Sequence, residues 1–489
     1  MLAIDFNLLR DVNQSPLVRG PNPTQFVEAG SYTYFVAAPQ TSDSGLWRTD
    51  GTPEGTIFLK PAYTGIEYPT NVNGILYFQA FDSYSRELWR SDGTPEGTRV
   101  VKRIAGDYEA SPSGLVNFNG TLYFFANDGV HGRELWRSDG TANGTTLVKD
   151  LVPGSSSSYG QLLGRVGGHI FVATPGNLNE TVLWRSDGSA SGTTPITTLT
   201  GVAIGQSQAI GNRLFYSSGY GGLWVNNGIG QSIDLLNGPP YGVGNLRNLG
   251  ETLYFTRDLG YADGAELWQS DGTLAGTKRV DGGGIYNVST PTSNDSNNNS
   301  IYYVKRIGES GSSQLWRISG VGASPALVED FQNPGGTLPS SLVSVGDRLF
   351  FRHQTLAHGE ELWTSDDTTT GTVEVKDVMP GNGSSSMEDK RAIGRIGAKA
   401  VFSANDGVHG AELWMTDGTE AGTILLKDLV AGTYESRPRY LTEVSGTLFF
   451  LADDGIHGGE LWRSDGTPAG TSLVKDIRPG ADGSFPQRV

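Results

Sequence analysis

Three short turns in this 489-residue chain carry an acid and a base at one spacing. They are Asn-Asp-Gly-Val-His-Gly at Asn127–Gly132 and at Asn405–Gly410, and Asp-Asp-Gly-Ile-His-Gly at Asp453–Gly458. Asp128 is paired with His131, Asp406 with His409, and Asp454 with His457. Such a pair can offer two ligands to a divalent cation, and the oxygen donors leave Ca2+ open as a cofactor. A cation needs ligands that converge on one point, and turns on separate structural units would not converge. The competing reading is a histidine that caps its own hairpin. His358, in Ala357–Leu362, is a fourth histidine before the same Leu-Trp.

Irregular stretches hold a second set of candidates. Tyr220 lies in Ser217–Gly222, Tyr261 lies with Asp258 and Asp263 in Thr256–Gly264, and Asn177 lies in Pro175–Glu180. Tyr with Asn, Asp and Gly suits contact with a sugar or peptide, the aromatic acting as platform. The same composition builds plain turns. Glycosidic chemistry needs two carboxylates flanking one bond. Glu180, Asp258, Asp263, Glu309 and Asp347 fall in irregular segments, and no spacing ties any two together. No nucleophile elbow, phosphate-binding loop or HExxH pattern is present. Arg133, Arg213, Arg257 and Arg352 are dispersed and read as surface charges. With no cysteine, thiolate metal sites, disulfides and cysteine nucleophiles are excluded.

The elements that must position these residues are marked by the ten tryptophans: Trp47, Trp89, Trp136, Trp184, Trp224, Trp268, Trp316, Trp363, Trp414 and Trp462. Every one follows a Leu, at intervals of 40 to 51 residues. A residue spent once per unit is a packing residue, and recurrence at such a period marks a repeat architecture. The third copy resolves into four runs. Gly114–Gly120 ends in Asn-Gly, a strong hairpin signal. Thr121–Ala126 is rich in aromatics, Glu134–Ser138 alternates, and Thr145–Leu151 closes the unit. Four antiparallel strands in that length make one propeller blade. The chain is therefore expected to be all-β, a β-propeller of about ten four-stranded blades in one closed ring spanning residues 1–489. The alternative is two five-bladed rings split near residues 236–245. Phe6–Pro16 looks like an additional outer strand.

Trp136 is expected to fill the space between sheets with its N–H near a neighbouring carbonyl. Asp139 opens the turn after it, where a short carboxylate can accept backbone N–H bonds. The same Asp recurs at Asp50, Asp92, Asp187, Asp271, Asp366, Asp417 and Asp465, with Asn227 and Ser319 in the fifth and seventh copies. This pattern favours turn building over catalysis.

Composition limits the function classes. Acidic residues outnumber basic ones, 52 to 36, for a net charge of −16. A nucleic-acid binder would need a basic footprint, and an anionic membrane would repel this surface. No run reaches the roughly 18 apolar residues of a membrane helix, so no membrane insertion is expected. The opening MLAIDFNLLRDVNQ lacks a basic n-region and an apolar h-region, so no signal peptide is read there.

Glu87–Thr98 and Glu460–Thr471 resemble the bacterial repeat named for its ELWxxDGT signature. The resemblance spans nearly the whole chain. It weakens at the first, fourth and eighth copies, and the turn core is lost in the fifth and seventh. It implies a propeller-like fold and a secreted or cell-surface location, and brings no activity with it. The Trp repeat is also similar to that of pyrroloquinoline-quinone dehydrogenases. The Ser-Asp-Gly-Thr turn is similar to the Asp-box hairpins of sialidases. Three functions follow as expectations: a non-enzymatic, calcium-assisted binding scaffold for a glycan or protein; a quinoprotein-like or carbohydrate-active enzyme; or a structural module of a larger surface assembly.

Overall fold

The computed structural model describes residues 26–486, apart from 39–44, 62–64, 82–83, 107–108, 178, 219–220, 229, 231, 237–241, 259, 261–263, 290–299, 309–311, 333–336 and 386–392. The additional strand expected at Phe6–Pro16 lies outside the described residues. No helix occurs among them. Strands are paired into eight four-stranded antiparallel sheets and one seven-stranded sheet, each strand beside its sequence neighbour. Consecutive four-stranded meanders define a β-propeller, and each four-stranded sheet is one blade.

The seven-stranded sheet corrects the expectation of uniform four-stranded blades. The 11-residue strand Lys278–Val288 pairs with Ala265–Ser270 of the sixth copy and with Ser300–Ile307 of the seventh. It serves both copies, with no linker between them. Two compact units can be distinguished. One ends at Val243 and holds the first five copies; the other, Gly244–Pro486, holds the last five.

Within each unit the core lies between sheets. Leu122, Phe124 and Trp136 of the third copy cluster with Val72, Tyr77, Leu88 and Val101 of the second. Leu448, Phe450 and Trp462 of the tenth meet Val401, Leu413, Met415 and Leu426 of the ninth. Alternation puts Trp on one face of its strand and the preceding Leu on the other. In these pairs the Trp docks its sheet on the one before, and the Leu of the earlier sheet receives it. Nε1 behaves differently from expectation. Trp47 donates to the carbonyl of Ala37, but Trp184, Trp268 and Trp316 donate to side chains, those of Thr174, Glu266 and Gln314. Nε1 of Trp89, Trp136, Trp363 and Trp462 is buried with no protein partner among the described residues.

The Lys that ends the outer strand reaches the next sheet. Nζ of Lys102 donates to the Thr145 carbonyl at 2.8 Å and lies 5.8 Å from the Trp136 ring centre. Lys376 makes the same pair of contacts with Thr423 and Trp414.

The Asp turn is a closed hydrogen-bond circuit. Asp139 Oδ1 accepts from the Thr141 N–H at 2.8 Å and from the Thr141 hydroxyl at 2.7 Å. The Thr141 hydroxyl in turn accepts from Gly144 N–H, and the Thr145 hydroxyl donates to the Thr141 carbonyl. A Cβ on Gly144 would stand 2.0 Å from Asp139 Oδ1, which explains the second glycine of Asp-Gly-Thr-x-x-Gly-Thr. The Thr or Ser hydroxyl holds Asp50, Asp92, Asp139, Asp187, Asp366, Asp417 and Asp465 below the usual carboxylate range. These carboxylates are occupied by their own turns.

Candidate functional site

A four-stranded meander places its first and third turns at one end and its second turn at the other. The linker to the next copy leaves from that other end. The Asp-His turns and the inter-copy linkers therefore share an end of each sheet, and loops at one end of a rigid scaffold are where binding residues concentrate.

Three Asp-His turns have one geometry. His131 Nδ1 is 2.7 Å from Asp128 Oδ2, and Asp128 Oδ1 accepts from the N–H groups of Val130 and His131. Asp406 with His409, and Asp454 with His457, repeat it. The hydrogen bond donated to Asp raises each histidine above its ordinary value. Both oxygens of each Asp and one ring nitrogen of each His are thus engaged within the turn. No group of three or more His, Asp or Glu able to hold a metal occurs among the described residues. The geometry is that of a hairpin cap, and among the described residues no third His, Asp or Glu joins any of these pairs. In the eighth copy, His358 Nδ1 instead meets Glu374 at 3.0 Å.

The glycine after each His has a mechanical role. Gly410 has φ +71°, and a Cβ there would sit 2.1 Å from the Tyr434 carbonyl. Gly132 and Gly458 are pressed in the same way by Ser156 and Gly483. The linker lies directly on the turn.

The buried Glu before Leu-Trp holds that linker. Glu412 accepts from Leu429 N–H at 3.1 Å, Ser436 N–H at 3.3 Å and the Ser436 hydroxyl at 2.6 Å. Glu361 and Glu460 likewise accept from the N–H and hydroxyl of Ser385 and Ser484, and Glu134 accepts from the N–H groups of Leu151 and Ser158 while the Ser158 hydroxyl donates to the Arg133 carbonyl. All four are fully buried, and burial pushes each carboxyl up to about 7 against the pull of these donors.

The irregular-loop candidates are only partly placed. Tyr220, Tyr261 and Asp263 lie outside the described residues. Asn177 and Asp258 are exposed and belong to different compact units. Asn177 uses its carbonyl, and Asp258 its Oδ1, within their own turns. Arg352 is not a surface charge: it is 1% exposed, beside His353 at 2%. They occupy the positions of Phe125 and Ala126 in the third copy. His353 lies between Phe331 and Trp363, ring centres 4.3 and 5.3 Å away, and burial lowers it to about 4. It is a neutral ring packed in a closed aromatic box. Arg133 is also drawn inward and donates to the Ser111 carbonyl.

Sequence reading missed a groove of about 690 Å³ in the tenth copy. The linker Val430–Arg439, the turn at Asp453–Gly459 and Phe485 surround it. Buried Leu451 and Ala452 form its floor. Tyr434 and Phe485 are 76% and 48% exposed, far above the norm for packed aromatics in this fold. Glu435 pairs with Arg437 at 2.8 Å. Arg439 lines the groove, its Nε is shielded from solvent and makes no hydrogen bond among the described residues, and its guanidinium lies 5.6 Å from the Tyr440 ring centre.

A signal for these residues does exist in the repeat. Counting from the buried Glu, Tyr434 stands where the other latched copies have Ser156, Gly383 and Asp482. By strand register, Arg439 opposite Leu451 stands where Ser113, Gln161 and Ser340 face Phe125, Ala173 and Arg352. Both are departures within otherwise regular copies.

These features define a β-propeller with a candidate groove on its linker end. No family model matches the chain, and no curated protein matches it significantly. Solved structures similar to it share little sequence. BamB from Moraxella catarrhalis is 11% identical, with 69% of this chain and 92% of that chain covered and a TM-score of 0.34. The β-propeller domain of the Trilobed protease from Pyrococcus furiosus is 13% identical, covering 64% and 100%, TM-score 0.32. A prolyl endopeptidase is 14% identical, TM-score 0.35; 63% of this chain aligns and spans about half, 49%, of that one.

Proposed function

We propose that this protein is a non-enzymatic binding scaffold that holds a glycan in the groove between Tyr434 and Phe485. The observation that carries the reading is two exposed aromatics over a small apolar floor, with charged groups at the edge. Binding sites of this kind combine apolar walls with a few placed polar groups. Sugar rings present apolar C–H faces to aromatic rings and hydroxyls to charged neighbours, and both complements line this groove. The resemblance to ELWxxDGT proteins adds an exported or surface setting, in which a glycan is accessible.

A glycan array read with the intact chain and with Tyr434→Ala tests this. The reading expects saccharide binding that the variant loses while its melting temperature stays unchanged. Absence of binding across a broad array, or binding indifferent to Tyr434→Ala, overturns it.

A further inference from the structure

We infer that the saccharide held here carries a carboxylate, and that Arg439 is the residue that reads it; this rests on the glycan reading above. The chain has 16 more acidic than basic residues. Three other arginines of the ninth and tenth copies are held by carboxylates. Arg437 pairs with Glu435, Arg395 with Glu443, and Arg478 with Asp482. Arg439 makes no ion pair among the described residues.

The repeat does not explain Arg439 either. Ser113, Gln161 and Ser340 occupy its register position in three other sheets and Glu67 in a fourth, so the strand pairs without a basic residue there. Asp453, which also lines the groove, commits Oδ1 to the N–H of Gly455 at 2.7 Å. A guanidinium with a solvent-shielded Nε has already lost part of its hydration. An incoming anion therefore gains more from it than from an arginine in open water. A planar carboxylate matches the guanidinium fork in two parallel hydrogen bonds. Tyr434 and Phe485 would hold the ring, and Arg439 would select the acid.

The test uses the intact chain against uronic-acid oligosaccharides, the same oligosaccharides methyl-esterified, and sulfated neutral oligosaccharides. The acids are expected to bind roughly ten- to a hundred-fold tighter than their esters, the range for a hydrogen-bonded charge. Arg439→Gln is expected to erase that preference, Arg439→Lys to keep part of it, and Tyr434→Ala to weaken acid and ester alike. Equal binding of acid and ester overturns this inference and leaves the glycan reading standing. Preference for the sulfated set also overturns the carboxylate assignment. Binding of no saccharide, with acidic peptides bound instead, overturns the glycan reading and this inference together.

Discussion

The ninth and tenth copies differ from the fifth and seventh in the residue before Leu-Trp and what it holds. In the ninth, Glu412 collects Leu429 and Ser436, and Lys427 reaches the Thr471 carbonyl of the tenth at 2.6 Å. The seventh has Gln314 in place of Glu, which bonds Trp316 and Asp330 within its own sheet. The fifth has Gly222 there, and its outer strand shrinks to Ile233–Asp234. A latched linker is long, ordered and lies against a turn, so it can present side chains in fixed places. The groove lies between two latched linkers, one ending at Ser436 and the other at Ser484. Regularity in the frame is what makes a departure such as Tyr434 usable as a site.

The degenerate seventh copy is held by another device. The eighth copy has Asp367 where the turn elsewhere has Gly, at φ +77°, a conformation that disfavours a side chain. Its carboxylate accepts from the Tyr302 hydroxyl at 2.5 Å and pairs with Arg317 at 2.7 Å, both in the seventh copy. Contacts across the sheet boundary offset the backbone cost.

The largest effect should separate the two kinds of copy at their tryptophans. Trp462→Ala removes a ring from a closed inter-sheet core and should cost about 3–5 kcal/mol. Trp224→Ala, at a partly exposed ring in the fifth copy, should cost clearly less. Urea unfolding of both variants gives the comparison. Equal losses would mean the fifth copy is packed as tightly as the tenth.

Next in size is the latch. Glu412→Ala strands the N–H groups of Leu429 and Ser436, while the Ser436 hydroxyl keeps the Ala411 carbonyl, and each unpaired donor costs about 1–3 kcal/mol. Amide exchange at Leu429 and Ser436 should rise, with Ser158 in the third copy unchanged. Glu412→Gln keeps one acceptor and should lie between. No change in exchange would show that the linker is held by packing alone.

The latch also gives pH dependence a direction. Glu134, Glu361, Glu412 and Glu460 are raised from 4.5 to about 7. Their contribution to stability is fully present below 4.5 and is lost as pH rises through about 7. The turn aspartates are lowered from 3.8, so theirs is present above 3.8 and is lost as pH falls through the lower folded value. Melting temperature should therefore peak on the acid side of neutrality. Replacing the four Glu by Gln should flatten only the alkaline limb, and a peak above pH 8 in the parent would contradict the assignment.

The smallest effect is expected at single Asp turns. Asp139→Ala removes two hydrogen bonds to an exposed carboxylate, a loss of about 1–2 kcal/mol. Asp139→Asn should cost less, since Asn227 occupies this place in the fifth copy. Thermal melts of the two variants rank them.

Much of the frame was legible because packing residues repeat. Ten Leu-Trp pairs and the Asp-Gly-Thr turns marked strand order, turn ends and the face each side chain takes. The fusion of the sixth and seventh copies was not legible, because Lys278–Val288 reads as two short glycine-broken runs and only pairing on both edges reveals one strand. Arg352 misled because a charge predicts exposure unless its neighbours are known. The latch was hidden for a different reason. Glu134 and Ser158 are 24 residues apart, and no local pattern links a carboxylate to an N–H that distant. The groove depends on which repeat positions face the linker end, which follows only once the register is known.

The central claim is that repeated residues hold the frame while departures from the repeat make the site. Saccharide binding and melting temperature, measured side by side for Tyr434→Ala and Asp417→Ala, test it most directly. The account predicts that Tyr434→Ala abolishes binding at an unchanged melting temperature, and that Asp417→Ala lowers melting while the folded protein still binds. Loss of binding in Asp417→Ala with its melting unchanged, and retained binding in Tyr434→Ala, would contradict it.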